Sequence, residues 1–187
     1  MKKQLFFLLL CCISLIGMQA QTITWTGAVN DLYNNANNWS PAQVPTATND
    51  VIIPTGSTMI INASASVKSI EVQGTSSITI DQNLSFSDAS SFSSNTTVNW
   101  NNSSLYGGGI LTNNGTVNLT TGNSRYISGA TTIINNGLFT MPNGGHLRLY
   151  NTAVFNNTES GIFDIQSDAT ITYSGSEAHN FINSGLL

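Results

Sequence analysis

Nine carboxylates, two histidines, five basic side chains and two cysteines are the groups, tyrosines aside, from which this chain of 187 residues could build a reactive site. Their spacing argues against a metal centre. His146 and His179 stand at unequal offsets (9 and 18) after the glycines Gly137 and Gly161, so in a repeating fold they do not share a column. Neither an Asp-x-Asp-x-Asp-Gly loop nor a Gly-Gly-x-Gly-x-Asp repeat is present. Asp164 and Asp168 are four apart, which in extended chain places them at opposite ends of a turn, as a solvated corner. Arg125 and Arg148 are 23 apart and could stand one above the other on successive turns of a repeat, as the proton-handling groups of polysaccharide lyases and hydrolases do. No acidic column accompanies them, because Glu159, Asp164, Asp168 and Glu177 fall at other offsets. The serine-rich stretch from Ser85 to Ser94 has no His or Asp at a spacing for nucleophilic catalysis. The sequence therefore assigns no catalytic residue, no metal ligand and no cofactor.

Binding is a different matter. Tyr126, Tyr150 and Tyr173 recur at spacings of 24 and 23, and stacked rings on an outer face would offer a platform for sugar rings. The other reading is of partly buried aromatics that close a corner.

Such residues need elements to hold them. No window after Gln21 shows sustained helical spacing, whereas short runs of Ile, Val, Thr and Phe recur between Gly, Asn and Ser, as in Val51 to Ile53, Ser77 to Ile80 and Leu84 to Phe86. The second half repeats. Leu111-Thr112-Asn113-Asn114-Gly115 returns as Ile133-Ile134-Asn135-Asn136-Gly137 and as Phe181-Ile182-Asn183-Ser184-Gly185, with Phe155-Asn156-Asn157 and Gly161 as a fourth copy. The four glycines recur at intervals of 22, 24 and 24, and three short strands fit between successive copies. A period of about 22–24 residues with three strands in it predicts an all-β parallel β-helix whose coils rise by about 4.8 Å. Gly115, Gly137, Gly161 and Gly185 are expected to stack at one corner with positive φ, and Asn113, Asn135 and Asn183 to form a ladder of amides there. Ile133 and Phe155 are expected inside, as is a column of Leu138, Ile162 and Leu186, with Thr131 exposed. A β-sandwich with Asn-Gly hairpins is the alternative, but hairpins require no constant period.

Lys2 and Lys3, the apolar stretch from Leu5 to Ile16 and the small Ala20 predict an export signal over residues 1–20, with no membrane span once it is removed. Leu10 before Cys11 argues against a lipid anchor. Both cysteines, Cys11 and Cys12, leave with the signal, which excludes disulfides and thiol chemistry. The exported remainder keeps three basic side chains (Lys68, Arg125 and Arg148) against nine acidic ones, a net charge of −6, which excludes nucleic-acid binding. Only 12 of its side chains are charged and 24 are Asn, while Leu, Ile, Val and Phe make up 40, enough for a folded core.

Residues 21–50 carry Trp25, Tyr33 and Trp39 and few apolar runs, and they are placed to cap the open end of coils that occupy 51–187. Trp25-Thr26-Gly27, Asn37-Asn38-Trp39, Val44-Pro45 and Asp50-Val51-Ile52-Ile53-Pro54 resemble the start of large secreted right-handed parallel β-helix proteins. These are adhesin-like surface proteins of diderm bacteria, many exported by the type IX route. Tyr33 stands where that pattern commonly has Trp. The resemblance implies a secreted or cell-surface structural or adhesive segment that binds a polysaccharide or a cell-surface partner and is not itself an enzyme. It also implies a longer protein, of which this is the N-terminal part. The alternative is the non-catalytic N-terminal part of a polysaccharide-degrading β-helix enzyme.

Overall fold

The structure, a computed structural model, describes residues 20–187 except 121–123, 143, 167, 177 and 179. Residues 1–19 of the expected signal, Glu177 and His179 lie outside the described residues.

Alternating β-branched and polar residues form short strands, which wind into a parallel β-solenoid of about six coils with three strands in each. Two strands precede the coils, β1 (Thr22–Trp25) and β2 (Trp39–Ser40). The first coil is β3 (Asp50–Ile53), β4 (Thr58–Ile61) and β5 (Ala65–Val67), and the second is β6 (Ser69–Val72), β7 (Ser77–Ile80) and β8 (Leu84–Phe86). The third is β9 (Ser90–Phe92), β10 (Thr97–Trp100) and β11 (Ser104–Tyr106), and the fourth is β12 (Ile110–Asn113), β13 (Thr116–Leu119) and β14 (Ser124–Ile127). The fifth is β15 (Thr132–Asn135), β16 (Leu138–Met141) and β17 (His146–Tyr150), and the sixth is β18 (Val154–Asn157), β19 (Ile162–Ile165) and β20 (Thr170–Ser174). Strand β21 (Asn180–Asn183) starts a further coil. Each coil strand pairs in parallel with its equivalents above and below, and β1 pairs in parallel with β3 and antiparallel with β2, giving a first sheet of nine strands and a second and third of six.

The expected architecture is present, but the coil length is not constant. Asp50 pairs with Ser69 at an offset of 19, Asn113 with Asn135 at 22, and Asn157 with Asn183 at 26. Pairing constrains the strands, and the corners between them absorb extra residues. The early coils turn after the first strand through short corners, as at 54–57, without an Asn-Gly pair.

Inward positions alternate along every strand. Met59, Ile78, Val98, Val117, Phe139 and Phe163 form one buried column. Phe139 and Phe163 stack at 5.3 Å between centroids, Phe155 and Phe181 at 5.4 Å, and the two pairs meet edge to face. Ile133 and Phe155 are buried as the sequence predicts. Two other assignments fail. Thr116, Leu138, Ile162 and Leu186 do form a column, but on the outer surface, with Ile162 41% and Leu186 63% exposed. Alternation runs unbroken through the corner, with Ile133, Asn135, Phe139 and Met141 all inward, so Leu138 and its equivalents fall on the outward positions. Thr131, expected outside, is buried, its hydroxyl accepting from the Gly108 amide at 3.1 Å.

Candidate functional site

The first sheet's corner builds an internal amide ladder. Nδ2 of Asn113 donates to Oδ1 of Asn135, Asn135 to Asn157, and Asn157 to Asn183, each at 2.7 Å. Asn113, Asn135 and Asn157 are buried, and each also donates to carbonyls at its own corner and one coil on. Asn113 sits above Phe92, so an amide row continues an apolar column midway along the solenoid. Asn157, in the fourth copy of the motif, is a full member of this row.

Gly115, Gly137, Gly161 and Gly185 lie at this corner, but none has the positive φ anticipated for them. Close packing explains their presence instead. A Cβ on Gly137 would lie 2.2 Å from the Gly115 carbonyl oxygen, and one on Gly185 2.3 Å from that of Gly161.

The N-terminal aromatics meet over the first coil. Trp39 packs edge to face on Trp25 at 4.8 Å and on Tyr33 at 5.3 Å, and all three are buried. Trp39 Nε1 donates to the Tyr33 carbonyl and the Tyr33 hydroxyl to that of Pro45. Burial pushes the Tyr33 phenol pKa well above its ordinary value. Strand β1 extends the first sheet beyond β3, and Leu32 bridges to Ile60 of the second. The buried Asn38 ties the loop, accepting from the Val29 and Asn30 amides and donating to Asn30 Oδ1 and the Leu32 carbonyl. The sequence marks Asn38 only through the Asn37-Asn38-Trp39 motif and gives no sign of its buried hydrogen-bonding role.

The three tyrosines Tyr126, Tyr150 and Tyr173 do not form a column. Tyr126 pairs with Arg148, Tyr150 with Ser174, and Tyr173 with the inward Leu149. Tyr173 shares the parity of a core residue and is 53% exposed at the last coil. The outer face of the third sheet instead presents Ser104 and Tyr106 in the third coil, Ser124 and Tyr126 in the fourth, and His146, Arg148 and Tyr150 in the fifth. The Arg148 guanidinium carbon lies 5.7 Å from the centre of the Tyr126 ring, a cation–π contact, and His146 Nδ1 lies 2.5 Å from Thr170 Oγ1. Tyr106 falls outside the sequence-derived set because its equivalent one coil on is Ser128, so no tyrosine stands a single repeat away from it.

Arg125 and Arg148 are likewise not stacked. Arg125 lies in register with Leu147, its side chain inside the solenoid, where Nε donates to the Trp100 carbonyl at 3.1 Å and a terminal nitrogen to that of Thr120. Burial lowers its pKa. The paired-arginine arrangement of a lyase is therefore not formed. Asp164 is on β19 and Asp168 at the turn before β20. Among the described residues no three His, Cys, Asp or Glu side chains are grouped to hold a metal, and no helix is long and apolar enough to cross a membrane.

Residues 24–128, from β1 to just past β14, match the model of a family described as Domain of unknown function (DUF8693). No curated protein and no solved structure matches the chain.

Proposed function

Because the chain belongs to this family of unknown function, matching its model over more than half of its length, we propose a role from its own geometry: a structural and adhesive segment that works outside the cell and binds glycan, without catalysing a reaction. The observation that carries this reading is the outer surface, where polar side chains are bonded from coil to coil. Thr120 donates to Asn101 and Asn101 to Asp81, each at 2.6 Å, and Asn136 donates to Asn114 at 2.9 Å. These rows hold polar groups in fixed positions on a rigid rod, which lowers the ordering cost of binding a long polymer. The Lys2-Lys3 and apolar leader pattern supports export.

The test uses cells that carry the natural gene. Protease treatment of intact cells should remove the protein, and deletion of the gene should reduce adhesion to polysaccharide-coated surfaces. Protein that resists the protease until cells are lysed, or adhesion unchanged by deletion, overturns the reading. Release of new reducing ends or unsaturated uronate from polysaccharides by the purified chain would overturn the non-catalytic part.

A further inference from the structure

Resting on that glycan-binding reading, we propose that the outer face of the third sheet is the binding site and that its ligand is an acidic polysaccharide, whose uronate carboxylates pair with Arg148. The charge distribution points there first. The chain has a net charge of −4, and carboxylates stand on the strands of the first sheet (Asp50, Glu71) and of the second (Asp164). The strands of the third sheet carry none, yet they hold Arg148 and His146.

Arg148 is also available to a ligand. Among the described residues it has no hydrogen-bond or ion-pair partner; its Nε is buried without one and its terminal nitrogens reach solvent. A guanidinium presents a planar fork that a carboxylate matches with two parallel hydrogen bonds. The Tyr126 ring beneath it favours this placement of the charge before any ligand arrives.

The aromatic side chains complete the site. Tyr106 and Tyr150 share one column two coils apart, about 10 Å, with Tyr126 one coil below Arg148 in the neighbouring column. Tyr150 is 38% exposed. Rings at these places can carry the apolar faces of sugars while Arg148 takes the charge, so neither group alone defines the ligand.

Calorimetry of the exported chain with polygalacturonate oligomers tests this, with neutral mannan oligomers and dextran sulfate as further arms. Uronate should bind, more weakly as salt rises. Arg148→Gln should weaken binding about tenfold or more, as expected for loss of a charge-assisted pair. Tyr150→Ala should also weaken it while leaving the fold unaffected, and Asn118→Ala on the second sheet should change nothing. Unchanged binding by both site variants, equal affinity for mannan, or dextran sulfate binding that ignores Arg148→Gln overturns the proposal. Absence of uronate binding alongside a persisting adhesion defect in the deletion strain overturns this ligand assignment alone and leaves the adhesive role standing.

Discussion

Asn135 joins three coils through one side chain: its Oδ1 accepts from Asn113 and its Nδ2 donates to Asn157 and to the carbonyls of Gly137 and Ile162. Replacement by Ala breaks the row on both sides and leaves buried amide groups short of partners, at about 1 to 3 kcal/mol for each group left unsatisfied. Asn135→Ala should therefore lower stability by about 2 to 4 kcal/mol, read from urea melts. Asn136→Ala, which loses a surface bond to Asn114 and one from the Thr158 hydroxyl, itself also bonded to the Asn135 carbonyl, should cost less, about 1 kcal/mol or below. Tyr33 sets a pH dependence. Its pKa is raised by burial from 10.0, so above pH 10 the unfolded chain loses the phenolic proton that the folded chain retains. Its contribution is complete below pH 10 and declines above it, by up to about 1.4 kcal/mol per pH unit. Urea midpoints should fall between pH 10 and 11.5, and Tyr33→Phe should flatten that slope.

At the scale of elements, strands and corners divide the work. The strands hold register through backbone bonds, while the corners bring one coil's backbone against the next. A methyl group on Gly137 would meet the Gly115 carbonyl oxygen at 2.2 Å, and neither backbone can withdraw without breaking the ladder beside it. At Gly144 a methyl group meets nothing within 4 Å, and only its φ of +70° opposes substitution. Gly144→Ala should cost about 1 kcal/mol. Gly137→Ala should cost clearly more, and thermal denaturation of the two variants makes the comparison. Equal losses would mean that the corner tolerates spreading.

Across the whole molecule, each coil contacts chiefly its neighbours, so stability is close to a sum of local terms. The Trp25–Tyr33–Trp39 cluster supports the first coil, and the Phe139–Phe155–Phe163 group supports the fifth and sixth. Trp39→Ala and Phe155→Ala should each cost about 3 to 5 kcal/mol. Their hydrogen-exchange patterns should differ: Trp39→Ala speeds exchange in β1 and β3 to β5, and Phe155→Ala in β15 to β21. Uniform acceleration along the chain in both variants would show a single cooperative unit instead.

Strand positions and fold class were legible from residue types alone. Ser77–Ile80, Leu84–Phe86, His146–Tyr150 and Ile162–Ile165 stand where alternating β-branched and aromatic residues place them. Recurrent Asn-Gly corners made the solenoid recognisable, because only stacked coils require a near-constant period. Facing and neighbours were decided by the tertiary structure. The offset between paired positions is 19 for Asp50 and Ser69 but 26 for Asn157 and Asn183, so a spacing counted along the chain does not fix the register, and a difference of one places two residues on opposite faces of the sheet. The register of 22 in the third sheet sets the inward Arg125 against Leu147 rather than Arg148 and Tyr126 against Arg148 rather than Tyr150, while Leu138 faces outward because alternation continues through the corner after Asn135. Composition and strand pattern belong to the chain taken locally. Register is a property of hydrogen bonds between positions a whole coil apart, and the outer face that brings Tyr126, Arg148 and Tyr150 together exists only once those bonds have formed.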